Sequence, residues 1–239
     1  MAYNNGQTVT LSGPDGDEIR VRLEVNSKAR RLILRLDERR REAVAVAPSR
    51  RQIKDAAAFA AERVDWIHSR LRHLPDAVSF EEGSVISYRG APCRLTAIGD
   101  GRVARLVPGD PNTLCAPGDP DTLHLRTTRY LKKQARADIT RAVKRHAARL
   151  NVTYSEISVK DTRSRWGSCT ADGKLSFSWR LIMAPPAVLD YVAAHECAHL
   201  LEMNHSPRFW AHVSTCCVDW KTHRNWLRVH GATLQATGS

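Results

Sequence analysis

The sequence predicts an α+β fold: a mostly β N-terminal half with one long helix, followed by a compact C-terminal unit in which helices pack on a small sheet. Short apolar stretches broken by Gly and Pro occupy much of the first 125 residues, a pattern typical of strands joined by turns. Beyond residue 126, apolar residues recur at steps of three and four, as they do on helices. The change of period places the expected domain boundary between residues 126 and 127, giving regions 1–126 and 127–239.

In the first 75 residues, alternating apolar positions predict two pairs of strands, and a longer apolar period predicts one helix. The helix begins with Ser49 as the expected N-cap and runs to about His73. From residue 85 to residue 125 the pattern favours further short strands. The four strands of the first pairs are expected at residues 8–11, 19–25, 32–36 and 43–47.

A cationic amphipathic helix is predicted from Arg126 to Arg149. Its apolar stripe includes Leu131, Ala135 and Ile139. Such a face attracts phosphate backbones or acidic protein surfaces, although a charged helix that only keeps the protein soluble is commoner. The nine basic residues on this segment are Arg126, Arg129, Lys132, Lys133, Arg136, Arg141, Lys144, Arg145 and Arg149.

The C-terminal region is expected to alternate strands and helices. Strands are predicted at residues 157–160 and 174–179, with a loop at 163–169 between them. The second strand either offers an open edge to an extended peptide or is an ordinary paired strand. A helix from Pro185 to about Met203 follows. Two short helices end the chain, the last closed by Gly231.

The helix predicted at residues 185–203 contains the pentad H-E-C-A-H, in which His195, Glu196 and His199 stand in an H-E-x-x-H pattern. Histidines at positions i and i+4 lie on one face of a helix and can bind one divalent ion. The adjacent carboxylate can take a proton from a water that the ion activates. The simpler alternative is an ordinary amphipathic helix that happens to carry these residues.

His205 is the candidate third ligand. Asn204 and Pro207 predict that the helix has ended by this point, so the chain can turn back toward the ion. Catalytic zinc sites usually take three protein ligands and leave one position for water. Glu202 replaces the glycine of the metzincin pattern, so the motif is a different one. The alternative for His205 is a capping or exposed histidine.

Four segments of the C-terminal region carry a more specific signal than the pentad alone. They are R-S-R-W-G-S-C (163–169), K-L-S-F-S-W-R-L-I-M-A-P-P (174–186), D-Y-V-A-A-H-E-C-A-H-L (190–200) and N-H-S-P-R-F-W (204–210). Together they resemble the YgjP-like family of small zinc-metallopeptidase domains, which is related to the SprT-like proteases. The resemblance implies a zincin-like catalytic unit and a zinc-dependent hydrolase with one Zn²⁺ per chain, and its third histidine matches His205.

Arg163 and Arg165 are candidates for stabilising the oxyanion. They lie beside the W-G element, which resembles the family's active-site edge. The alternative is that an arginine at this place pairs with a structural carboxylate.

Composition limits the remaining possibilities. The 239-residue chain has a formal net charge of +12 and no run of eighteen apolar residues, which argues against a membrane span. Six cysteines without C-x-x-C spacing and an N-terminus without a signal-peptide pattern favour reduced thiols and a cytoplasmic location. No pattern points to an oligomeric state.

The leading functional prediction is a zinc metallopeptidase that hydrolyses peptide bonds with Glu196 as general base. One alternative is a nucleic-acid-associated, SprT-like protease that uses the basic helix to localise. The other is a non-catalytic metal-binding module, against which the presence of Glu196 argues.

Overall fold

The computed structural model describes residues 3–37, 40–76, 78–162 and 165–238, and its architecture confirms the predicted α+β class. The chain divides into two compact units, Met1–Asp76 and Ala77–Ser239. The boundary predicted at residues 126/127 lies instead inside a continuous helix, Pro120–Leu150. The division comes earlier because the strands of residues 85–117 share a hydrophobic core with that helix. None of the described helices is long and apolar enough to cross a membrane.

The first unit is a four-stranded sheet covered by helices. Strand order is β1-β2-β4-β3, with β2 and β4 parallel and the outer pairs antiparallel. Alternate residues of β2 and of β4 are buried in one core with the helices, and the whole of β4 is buried. The elements are β1 (Thr8–Ser12), β2 (Glu18–Val25), β3 (Ile33–Asp37), β4 (Glu42–Ala47), α1 (Ile53–Ala61) and α2 (Val64–Arg72).

The single helix predicted from Ser49 to His73 is in fact interrupted. A short 3-10 turn, Arg50–Gln52, precedes α1, and the Ser49 side chain makes no capping hydrogen bond. Between α1 and α2 the backbone of Arg63 leaves the helical region at φ −118° and ψ 23°, and its N–H donates to the Ala60 carbonyl in a tighter turn. The apolar stripe continues across the break, which is why periodicity alone missed it.

The second unit begins with a four-stranded sheet of order β5-β6-β8-β7 and continues with a three-stranded sheet of order β10-β11-β9. The strand predicted at 174–179 is β11, and it pairs on both sides. It therefore offers no open edge to a peptide; within the described residues the edges of that sheet are β9 and β10. The strands are β5 (Val85–Tyr88), β6 (Ala91–Ile98), β7 (Arg105–Val107), β8 (Asn112–Pro117), β9 (Glu156–Lys160), β10 (Gly167–Cys169) and β11 (Lys174–Ser178).

The basic helix α3 (Pro120–Leu150) starts six residues before its predicted beginning. Its N-cap is Asp119, whose carboxylate accepts from the Thr122 N–H at 3.0 Å, and Pro120 suits the first turn. The predicted apolar stripe is buried, from Leu131 onward. Eight of the nine cationic side chains are exposed, and Arg126 is half-buried.

Three helices complete the unit. They are α4 (Pro186–Ala198), α5 (Pro207–Cys216) and α6 (Trp220–Ala236). Gly231, predicted to close the last helix, lies inside α6 instead. A Cβ at this position would lie 3.2 Å from a Trp166 ring carbon, so the glycine lets Trp166 pack closely against the helix.

A hydrogen bond between a buried histidine and a half-buried aspartate joins α3 to α4. Nε2 of His146, a side chain only 2% exposed, lies 2.8 Å from Asp190 Oδ1, and Arg145 also pairs with Asp190. Burial alone would raise the pKa of Asp190, but the hydrogen bond with His146 and the charges of His146 and Arg145 outweigh it and lower the pKa.

Asp190→Ala is expected to reduce the free energy of unfolding at pH 7 by about 1–3 kcal/mol, because it leaves His146 buried without its partner. A carboxyl whose folded-state pKa is lowered stabilises the fold above its unfolded pKa, near ~3.9, and loses that contribution as the pH falls. Urea unfolding of metal-free parent and variant should therefore differ at pH 7, and the difference should narrow as the pH falls below that unfolded pKa. Asp100→Ala, at an exposed carboxylate, serves as a control. A difference that does not narrow in acid would contradict the assignment.

Candidate metal centre

Helix α4 carries the pentad and ends earlier than predicted, at Ala198 instead of about Met203. His199 is its C-cap, and the next turns tighten, with Leu200 N–H donating to the Cys197 carbonyl at 3.1 Å. This early end lets the chain turn within six residues and bring His205 back alongside the helix. Cys197 faces α3, with its thiol 3.8 Å from the Val143 carbonyl oxygen.

His195, His199 and His205 converge at the end of α4. One ligand nitrogen from each lies within 4.8 Å of the other two, so the group could hold a metal ion. Nε2 of His195 and Nε2 of His205 are 3.2 Å apart. The structure therefore brings together the three histidines that the sequence singled out, and no other His, Cys, Asp or Glu of the described residues joins them.

The surroundings of His199 and His195 suit metal binding. Nδ1 of His199 lies 3.0 Å from the Glu202 carbonyl oxygen. A carbonyl can only accept, so Nδ1 carries the proton and Nε2 keeps its lone pair for a metal. Nδ1 of His195 is buried and has no hydrogen-bond partner among the described residues. The polar contact of this ring with another described residue is made by Nε2, which faces Nε2 of His205.

Helix α5 packs an apolar side chain, Phe209, against the three imidazole rings. Its N-cap is Ser206, whose hydroxyl accepts from the Phe209 N–H at 3.3 Å. The fully buried Phe209 ring has its centroid 4.9, 4.4 and 4.8 Å from those of His195, His199 and His205. This packing restricts the rotamers of all three histidines, as a preorganised metal site requires.

Burial also favours the neutral form of His195 and His199. Burial, followed by the charges of His199, His205 and Arg224, lowers the pKa of His195 to about 3. Burial lowers the pKa of His199 as well, against the opposing effect of the Glu202 carbonyl. A neutral imidazole is the form that binds metal. At neutral pH, therefore, neither His195 nor His199 has to lose a proton before it binds a metal ion.

Glu196 is 4% exposed and lies against the backbone of β10. A Cβ at Gly167 would stand 2.4 Å from Glu196 Oε1 and 2.7 Å from its carboxyl carbon. Only glycine leaves room there for the carboxyl group. Burial raises the pKa of Glu196 to about 8, and the charge of Arg165 opposes the rise.

Gly167→Ala is expected to push the Glu196 carboxyl out of place and to lower catalytic turnover by about 10²-fold, the effect of an ångström-scale misplacement. Metal content should stay at the parent level, because the three atoms nearest to the new methyl group all belong to Glu196 and none to a histidine. Metal analysis and peptide hydrolysis on the same sample would check this. Gly99→Ala, where nothing lies within 4 Å of the new methyl group, controls for a general cost of glycine replacement. An unaltered rate in Gly167→Ala would contradict the close contact.

A cavity of about 390 Å³ opens beside His195 and Glu196. Arg165, one of the two predicted oxyanion-stabilising candidates, lines it, whereas Arg163 lies outside the described residues. The sequence did not single out Arg224 and Arg228 of α6, which line it too. Their i, i+4 spacing is visible in the sequence, but many cationic pairs share it.

Fold and site together define the class of this protein: a candidate metal-dependent hydrolase. The family model of the YgjP-like metallopeptidase domain matches residues 30–230, and the chain belongs to this family. The predicted family is thereby confirmed, and with it a peptidase that acts on peptide or protein substrates.

No curated protein matches the chain. Among solved structures, the chain is similar to the crystal structure of the metallopeptidase zymogen of Pyrococcus abyssi abylysin, with 15% identity and a TM-score of 0.35. That similarity covers 39% of this chain and 92% of the other. The family match carries the assignment.

Proposed function

We propose that this protein is a zinc metallopeptidase with one Zn²⁺ per chain, held by His195, His199 and His205, and with Glu196 as general base. The observation that carries the proposal is the convergence of three histidines beside a buried carboxyl group. Two nitrogens bound to one tetrahedral zinc at 2.0–2.1 Å lie about 3.3 Å apart. The 3.2 Å between the Nε2 atoms of His195 and His205 fits that spacing.

The chemistry follows from the residues around the site. Bound zinc supplies a Lewis acid that activates water at neutral pH and polarises the scissile carbonyl. The positive charge of the bound metal would favour the ionised form of Glu196, which accepts a proton from the attacking water and delivers it to the leaving amine. Arg165, on the wall of the same cavity, is placed to donate to the oxyanion. A non-catalytic metal-binding module would have no use for Glu196, which favours the enzyme.

The test is hydrolysis of a mixture of fluorogenic peptides by the full chain. Activity should require about one zinc per chain, disappear on chelation and return when zinc is restored. A chain that stays metal-free in excess zinc would contradict the metal centre. A chain with zinc that cleaves none of the peptides would contradict the peptidase. The cytoplasmic location stays a prediction from the sequence.

A second candidate, the nucleic-acid-associated protease, is favoured by one feature of α3. Arg126, Arg129 and Lys133 line a concavity of about 270 Å³ together with Arg102. In the described ranges, no carboxylate lies within 4.0 Å of any of these four cations. Salt-sensitive binding to DNA or RNA that weakens in Arg126→Gln and Arg129→Gln would support it. Equal binding by parent and variants would count against it.

A further inference from the structure

Helix α6 places two arginines on one wall of the cavity beside Glu196. Arg224 and Arg228 are four residues apart, so they lie on the same face of the helix. Both line the cavity of about 390 Å³ that contains His195 and Glu196. The cavity thus combines His195, Glu196 and Arg165 with two guanidinium groups from α6.

Each guanidinium group is oriented by a neighbour. The Arg224 Cζ atom lies 5.3 Å from the centroid of the Trp210 ring, and Trp210 in turn stacks on Trp220 with centroids 4.1 Å apart. The Arg228 Nε and Nη2 atoms donate to Asn225 Oδ1 at 3.2 and 2.9 Å. A guanidinium group held in this way is preorganised for a planar, bidentate partner.

These two charges have no countercharge close by. Among residues 3–37, 40–76, 78–162 and 165–238, no carboxylate lies within 4.0 Å of Arg224 or Arg228. Like charges one helical turn apart repel each other. The remaining walls include the apolar side chains of Val192 and Leu227, which lower the local dielectric and strengthen any ion pair formed there.

We propose that Arg224 and Arg228 bind a carboxylate of the peptide substrate and make the enzyme selective for peptides that present one near the scissile bond. The inference rests on the proposed peptidase function and gives that function a substrate class. The carboxylate belongs either to an acidic side chain or to a free C-terminus. Both sources share the chemistry that the two arginines recognise.

A binding experiment tests the pocket separately from turnover. Zinc-loaded Glu196→Gln protein is titrated calorimetrically with three peptides of one sequence: Glu-containing with an amidated end, Gln-containing with an amidated end, and Gln-containing with a free carboxylate. One carboxylate peptide should bind about 10- to 100-fold more tightly than the neutral peptide, as expected for a charge-assisted hydrogen-bonded pair. The tighter of the two identifies the source of the carboxylate.

Adding Arg224→Gln or Arg228→Gln should remove that preference, and the Arg→Lys replacements should restore only part of it. Arg51→Gln, an exposed arginine in the first unit, controls for the change in net charge. In the parent enzyme the same preference should appear in kcat/KM. Equal affinity for the three peptides would overturn the proposal even if all are cleaved. A carboxylate preference without any hydrolysis would support the pocket and contradict the peptidase.

Discussion

Glu196→Gln is expected to keep one zinc per chain and to lose at least about 10²- to 10⁴-fold in kcat, the usual contribution of a general base. The amide has nearly the same shape as the carboxyl group, so it fits the space beside Gly167, but it cannot accept the proton. Peptide hydrolysis and elemental analysis on the same preparation measure both effects.

The fold should tolerate this change. Burial raises the pKa of Glu196, so the charged form is disfavoured and a neutral amide costs no more to bury. Urea unfolding of the metal-free protein should therefore show no loss of stability. Glu81→Gln makes the same chemical change at an exposed carboxylate and should leave kcat unaltered. Turnover within tenfold of the parent would remove Glu196 from the role of base.

His199→Ala and His205→Ala are each expected to reduce bound zinc from about one per chain to a small fraction. Loss of a residue that only supports a ligand typically weakens metal affinity 10- to 100-fold. Loss of a ligand itself should weaken metal affinity by more than about 100-fold. Elemental analysis after gel filtration, with a chelator competition to obtain Kd, measures the effect.

His212→Ala is the matched control for the histidine variants. His212 lies on α5, outside the group of three that could hold a metal, so zinc content and peptidase activity should stay at the parent level. If only His199→Ala lost zinc, His205 would not be a ligand and the third position would belong to another residue. Retention of zinc by both variants would contradict the proposed three-histidine metal centre.

Local signals predicted much of this structure. The spacing of His195 and His199 placed both on one helix face, and Asn204 with Pro207 predicted that the helix would end in time for His205 to return. Alternation and turn residues located the strands of the first unit. These features depend on residues close together in the sequence, where propensity and periodicity act directly.

The features that the sequence did not reveal depend on contacts between distant segments. Gly167 must be glycine because Glu196 lies against it, and Gly231 sits in mid-helix because Trp166 packs there. Neither reason is visible from neighbouring residues. The pocket arginines of α6 and the division after Asp76 likewise follow from tertiary packing, which overrides local patterns.

The three histidines proposed to bind zinc lie in one short stretch, from His195 to His205, whereas Gly167, which leaves room for the Glu196 carboxyl group, lies earlier in the chain, on β10. Closing a short segment around an ion costs little chain entropy compared with closing a long one. Under the proposed function, the stretch can therefore bind zinc in molecules whose β10 has not yet docked. Zinc content alone would count such molecules as complete, and only turnover would separate them from the native enzyme.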